Sequence, residues 1–298
     1  MKKLVCGIGV AIFATSVINV ANPSVVLADA SPGDIIVTLG EDLSINQKNK
    51  VLEDMGVNEK DTEIVYVSND EEHKYLDSYI PKAQIGSKSI SSAKITLGEK
   101  NTGLVVESNN INYITDDMYL NALSTAGITD AKVYVTSPFE VSGTGALTGI
   151  IKAYEVSSGK VIKEENKEAA NEEMVTTAKL ASDKDIGQEK AVEFMKKVKE
   201  EIAKENPKSE SDIRTLIQKV ANDMGITLTD SQLDQLVDLF NKIKDLNIDW
   251  DKVNKTFESA KEKWNNFANS DEGKNIIDSF ISFMNSIWDG IKAFFTKN

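Results

Sequence analysis

The spacing of apolar residues changes near the middle of the chain, and this change constrains the fold most. From residue 166 onward, apolar residues recur at intervals of three and four, as in helices with one buried face; one such stripe is Ala191, Val192, Met195, Val198 and Ile202. Residues 31–165 instead carry β-branched runs and 11 of the 15 glycines that follow residue 30. The sequence predicts an α/β or α+β N-terminal half, followed by an all-α helical C-terminal half.

Two strand–helix–strand units are predicted in the N-terminal half. Each has a helix that begins at a hydroxyl N-cap and ends at a glycine, between two β-branched runs. The first unit has strands at residues 34–39 and 63–67, and its helix runs from Ser44, with Gln47 as capping-box partner, to Gly56. The second has strands at residues 103–106 and 131–135, and its helix runs from Thr115 to Gly127. Such units favour some parallel pairing, and both duplication and coincidence can explain their similarity.

The N-terminus resembles a secretory signal peptide. Two lysines precede an apolar run from Leu4 to Val20, and small residues follow at Ala28 and Ala30. A signal peptidase reads these features in this order, whereas the run is short for an uncleaved anchor. We therefore expect residues 1–30 to be a signal peptide, residues 31–165 an α/β domain and residues 166–298 a helical domain. The expected location is secreted, either extracellular or associated with the cell envelope.

Charge and cysteine content narrow the classes of function. The formal net charge is -13, and Arg214 is the only arginine. An acidic protein of this kind is not expected to bind nucleic acid through its overall field. The single cysteine, Cys6, lies in the predicted signal peptide, so the mature chain is expected to be cysteine-free and to use no thiol chemistry. No cofactor is predicted.

Several segments resemble one protein family. They are residues 38–43, 75–76, 85–92, 109–111, 118–128 and 137–155, of which the run from Ser142 to Gly149 is the most specific. Together they resemble the exported bacterial proteins grouped as domain of unknown function 1002, found mainly in Firmicutes. The resemblance covers roughly residues 33–245. It implies an exported envelope or extracellular protein, and it implies no catalytic residues.

The glycine-rich segment, residues 142–149, is the strongest candidate site. A glycine-rich turn that leads into a helix presents backbone N–H groups to an anion or a carboxylate, and hydroxyl side chains add donors. The candidate ligand-binding residues are Ser142, Gly143, Thr144, Gly145 and Thr148. No lysine follows as in a P-loop, and the spacing differs from a dinucleotide fingerprint. The alternative is that the glycines only allow a tight turn and close helix–sheet packing.

A second candidate is the serine-rich segment, residues 86–92, which forms either a polar groove or a solvated turn. A shared cleft becomes more credible if both segments lie at strand ends on one side of the sheet. The only histidine, His73, lies among charged residues and is expected to be exposed, which does not suit a catalytic triad. Zinc hydrolysis lacks its usual ligands. We predict no catalytic residues and no metal ligands.

The last predicted helix, residues 274–298, carries five aromatic residues along an apolar stripe. It either completes the helical core or lies against a membrane surface or a partner. The leading hypothesis is a non-enzymatic exported protein that binds a cell-envelope component or a protein partner. One alternative is an envelope hydrolase that uses carboxylates or Ser142. The other is a self-associating or membrane-surface protein that acts through its C-terminal helices.

Overall fold

The computed structural model describes residues 31–246, 248–250 and 253. The predicted signal peptide at residues 1–30 and the last predicted helix at residues 274–298 lie outside these residues, so both stay predictions.

The described residues form a mixed sheet followed by a helical array. The strands are β1 (Ile35–Gly40), β2 (Glu63–Val67), β3 (Ser92–Leu97), β4 (Leu104–Ile111) and β5 (Ala131–Val141). The helices among them are α1 (Ile45–Asp54), α2 (Asn69–Leu76), α3 (Lys82–Ile85), α4 (Asp116–Ala126), α5 (Ala146–Ser158) and α6 (Glu164–Ala181). Then follow α7 (Gln188–Glu205), α8 (Glu210–Asp223) and α9 (Asp230–Asp245). The predicted fold class is confirmed.

The sheet has the strand order β2-β1-β3-β5-β4. β1 pairs with β2 in parallel, as β4 does with β5, and β3 lies antiparallel between β1 and β5. Both predicted strand–helix–strand units are therefore present, and their parallel pairing is confirmed. The central strand β3 was not predicted, and β5 continues to Val141, past the predicted end of its strand at residue 135.

Hydroxyl caps determine where several helices begin. Ser44 accepts a hydrogen bond from the backbone of Gln47, whose side chain in turn accepts one from the backbone of Ser44. Thr115 caps α4, and that helix ends at Gly127 in the left-handed conformation. Thr229 begins α9 with a full capping box. The two caps predicted at Ser44 and Thr115 are confirmed, and all three caps satisfy backbone N–H groups that a helix leaves unpaired at its start.

The two strand–helix–strand units place their helices on opposite faces of the sheet. α1 packs in one apolar cluster with Val37 and Leu39 of β1. α4 and α5 pack in another, with Ile36 of β1 and with Val133 of β5. Because alternate residues of a strand point to opposite faces, these clusters lie on opposite sides. The units thus share an order of elements but not an arrangement.

Helix α6 joins the sheet region to the remaining helices. Its Met174 and Val175 belong to the core that contains α4 and α5, while its Ala169 and Leu180 belong to the core of α7, α8 and α9. The predicted boundary at residue 165 coincides with the start of α6, yet α6 packs against both halves. Within the described residues, no helix is both long enough and apolar enough to cross a membrane.

A buried ion pair also connects the helical region to the sheet region. Lys199 of α7 lies 2.7 Å from Glu173 Oε1 of α6, and both side chains are almost completely buried. Lys199 also donates to the carbonyl of Asn121 on α4, at 3.1 Å, and Thr125 of α4 donates to the other oxygen of Glu173. The pair thus connects three helices.

Candidate functional site

The glycine-rich and serine-rich segments lie at the same edge of the sheet. The glycine-rich segment follows the end of β5, and the serine-rich segment leads into β3. Because β3 runs antiparallel to β5, with Ser92 paired to Thr136, the start of one strand lies beside the end of the other. The geometric condition for a shared site is therefore met.

A buried carboxyl group lies between the two segments. Glu72 of α2 is only 3% exposed, and its carboxyl accepts hydrogen bonds from Ser89 Oγ at 2.6 Å and from Asn69 Nδ2 at 3.4 Å. On the other side it packs against Gly145, where an added Cβ would lie 2.2 Å from Glu72 Cδ. Burial raises the pKa of Glu72 to about 7, although the bonds from Ser89 and Asn69 act in the opposite direction.

The serine-rich segment is also held by charged groups. His73 Nδ1 lies 2.5 Å from Asp77 Oδ1, and its Nε2 lies 3.0 Å from the carbonyl oxygen of Gly86. Both partners only accept hydrogen bonds, so the imidazolium form, which donates from both nitrogens, satisfies both. The bond to Asp77, followed by that to Gly86, raises the pKa of His73. The side chain is 20% exposed. The histidine is therefore partly exposed, and its two hydrogen bonds hold the ring against the protein.

The glycines of the glycine-rich segment are in close contact with other parts of the protein. Gly143 has a φ of +83°, and an added Cβ would lie 2.4 Å from the hydroxyl of Tyr119, which donates to the Gly143 carbonyl. An added Cβ on Gly149 would lie 2.9 Å from Thr38 Oγ1, on the sheet beneath α5. Turn geometry and close packing thus account for these glycines, in agreement with the structural alternative proposed from the sequence.

The five predicted ligand-binding residues do not all face one spot. Gly143 and Gly145 pack against interior groups, and the hydroxyls of Ser142 and Thr144 lie 3.2 Å apart, within hydrogen-bond distance. Thr148, one turn into α5, instead lines a cavity on the side of α6. Binding of an anion by this segment stays a prediction.

The cavity lies between α2, α5 and α6 and has a volume of about 220 Å³. Thr148 and Ile151 of α5, Tyr75 of α2 and Asn171 of α6 contribute to its wall. It is formed by residues from both halves of the chain, because α6 packs across α2 and α5. Thr148 was predicted from the sequence as part of an anion site, whereas Asn171 was not predicted as a site residue.

Two buried polar atoms in this wall have no hydrogen-bond partner within the protein. They are Thr148 Oγ1 and Asn171 Oδ1, on side chains of residues that are 6% and 0% exposed. The amide nitrogen of Asn171 is occupied, since it donates to the carbonyl of Lys167 at 2.8 Å. A buried polar group without a partner costs about 1–3 kcal/mol. A bound water molecule or a polar group of a ligand would remove this cost.

The charged residues around the cavity occur in pairs. Lys152 lies 2.6 Å from Glu71, and Lys167 lies 2.8 Å from Glu155. Burial alone would raise the pKa of Glu71, but the hydrogen bond from Lys152 and those from Ser68 outweigh it, so its pKa lies below the ordinary value. Glu71 is thus ionised and neutralises Lys152.

Lys74 contributes a third cation to the wall and forms an ion pair with Glu164 at the start of α6. Its side chain is 59% exposed, so this part of the wall is in contact with solvent.

Within residues 31–246, 248–250 and 253, no three His, Cys, Asp or Glu side chains lie close enough to hold a metal ion.

Comparisons with known proteins identify the family. The family described as protein of unknown function (DUF1002) matches residues 39–260. The uncharacterized protein YpuA of Bacillus subtilis (strain 168) is 53% identical over 296 residues, which cover 99% of this chain and 100% of that relative. No solved structure matches the chain. The resemblance predicted from sequence motifs is confirmed.

Proposed function

The chain belongs to the DUF1002 family of proteins of unknown function, and we propose that it is an exported protein that binds a component of the cell envelope without transforming it chemically. The cavity between α2, α5 and α6 carries this proposal, because it combines a partly apolar wall with two unpartnered buried polar atoms. Ligand sites commonly have this character: an apolar wall with a few polar groups that fix orientation.

The state of the reactive side chains supports binding over catalysis. Ser89 donates to the carboxyl of Glu72, an arrangement similar to a nucleophile with its base. However, Ser89 is fully buried and Glu72 lies beneath Gly145, so a substrate does not reach either group. Lys152, the first lysine after Ser142 in the sequence, is held by Glu71 and by the carbonyl of Tyr66. These residues therefore stabilise the sheet edge.

Export is supported by the sequence of residues 1–30, where two lysines precede an apolar run and small residues follow. The partner would then be an envelope component or a protein outside the cytoplasm. The formal charge of -13 argues against nucleic acid as a partner, since phosphate backbones attract basic surfaces.

Two measurements on the native protein test this proposal. Protease treatment of intact cells should digest the protein, or the protein should be recovered from the medium with residues 1–30 removed. The purified protein should bind envelope fractions without releasing fragments of peptidoglycan, glycan or peptide. Protein retained in the cytoplasm would contradict export.

The competing function is an envelope hydrolase, and the pair formed by Ser89 and Glu72 is the observation that favours it. Turnover of an envelope polymer, abolished by Ser89→Ala in a folded protein, would establish this alternative. Turnover that is instead lost on Ser142→Ala would place the chemistry on the glycine-rich segment. Either result would replace the binding proposal.

A further inference from the structure

We propose that the cavity between α2, α5 and α6 binds an uncharged hydroxyl-bearing group the size of one sugar residue, held by Thr148 and Asn171. This inference rests on the proposed binding function and adds the chemical class of the ligand and the residues that hold it.

The volume of the cavity limits the ligand to one small unit. A space of 220 Å³ corresponds to about seven water molecules at roughly 30 Å³ each. This volume lies below the range of about 300–1,000 Å³ that is typical for drug-sized ligands. A single monosaccharide, or the terminal sugar of a glycan, is of suitable size.

The charges of the wall favour an uncharged ligand. Lys152 is already neutralised by Glu71, Lys167 by Glu155, and Lys74 by Glu164. A charged ligand would have to break one of these pairs or enter without a partner, and both are costly in a partly buried site. The atoms that lack partners belong to an amide and a hydroxyl, which pair well with neutral groups.

The hydrogen-bonding capacity of these two atoms indicates hydroxyl groups. Asn171 Oδ1 only accepts, so the ligand must supply a donor, whereas Thr148 Oγ1 both donates and accepts. A hydroxyl group can donate to Asn171, and the same or a neighbouring hydroxyl can pair with Thr148. Ile151 and Tyr75 supply apolar surface for the carbon skeleton of a sugar. The hydroxyl groups of a sugar thus match both unpaired oxygens in hydrogen-bonding type.

Titration of the purified full-length protein with four probes tests the ligand class. N-acetylglucosamine and glucose represent uncharged sugars, alanine represents a zwitterion and inorganic phosphate represents an anion. For a ligand of this size we expect a dissociation constant of about 1 mM or tighter for at least one sugar. Alanine and phosphate should not bind. Binding is measured by calorimetry and by ligand-observed NMR.

Thr148→Val tests the site itself, because valine has the same shape and lacks only the unpartnered hydroxyl. The folded protein should lose no stability, since no internal hydrogen bond is removed. Its affinity for the sugar should fall about three- to tenfold, which corresponds to one lost hydrogen bond. Thr177→Val is the matched control: Thr177 is a buried threonine of α6 that bonds only to its own helix, at the carbonyl of Glu173, and lies outside the cavity.

Asn171→Leu provides a second variant, in which the acceptor is removed and the binding of the sugar should be lost. The proposal is wrong if neither sugar binds, if alanine or phosphate binds instead, or if Thr148→Val and Asn171→Leu bind the sugar like the wild type. A protein partner that crosslinks at Lys74 on cells while both sugars fail would leave the binding function standing and remove only this inference.

Discussion

At the scale of single residues, the adjacent carboxylates Glu71 and Glu72 have different environments in the fold. In the sequence, Glu71 and Glu72 look alike, as acidic residues near the start of a helix. In the structure, Glu71 completes the capping box with Ser68 and pairs with Lys152, while Glu72 points inward beneath Gly145. Neighbouring residues on a helix point in different directions. Which of the two is buried depends on how α2 packs.

The buried carboxyl group makes stability depend on pH. The pKa of Glu72 is about 7 in the folded protein and 4.5 in an ordinary carboxyl, so the unfolded chain loses this proton first as pH rises. The free energy of unfolding should therefore fall between pH 4.5 and 7, by about 3 kcal/mol, and this contribution should stay constant above pH 7. Glu72→Gln, which stays neutral, should remove this part of the slope and stabilise the protein above pH 7.

Urea unfolding at a series of pH values measures this effect. Glu41→Gln serves as the control, because it removes an exposed carboxylate from the same edge of the sheet. It should keep the slope of the wild type. An identical pH dependence in Glu72→Gln and the wild type would show that the buried carboxyl does not retain its proton.

At the scale of elements, local signals predicted the helix caps and the two parallel strand pairs, but they missed the central strand β3 and its antiparallel pairing. Ser44 and Thr115 were identified as caps because a cap depends on residues within one turn. β3 was missed, since half of its residues are polar and its place in the sheet depends on partners up to 61 residues away. Strand pairing is set by such distant contacts.

The buried ion pair between α6 and α7 should hold these helices together. Replacing only Glu173 by glutamine leaves Lys199 charged and buried, which should lower the free energy of unfolding by about 3–5 kcal/mol. Combining Glu173→Gln with Lys199→Met removes the unpaired buried charge of Lys199, so the double variant should recover most of the lost free energy of unfolding. Chemical denaturation of the three proteins measures both values.

The surface pair Lys197–Glu193 on α7 provides a control for this prediction. Its side chains are about half exposed, and such pairs contribute about 0–1 kcal/mol. Equal losses on disrupting the surface pair and the buried pair would contradict the account.

At the scale of the whole molecule, the candidate site depends on contacts between the two halves of the chain. Thr148 was singled out from the sequence because it follows a glycine-rich turn, but Asn171 stands in a helix with no local signal of a role. The two residues line one cavity only because α6 packs against α2 and α5. This arrangement depends on tertiary packing, so sequence patterns predicted helices that line the cavity but not the cavity itself.

Photo-crosslinking on living cells measures whether the protein binds an envelope component at the cavity. A photoreactive amino acid replaces Lys74, at the exposed part of the cavity wall, and in a separate variant it replaces Val161, which is 88% exposed near the opposite edge of the sheet. We expect position 74 to crosslink to an envelope glycan or protein and position 161 to form no such crosslink. Equal crosslinking at both positions, or crosslinks only to cytoplasmic proteins, would rule out binding at the cavity.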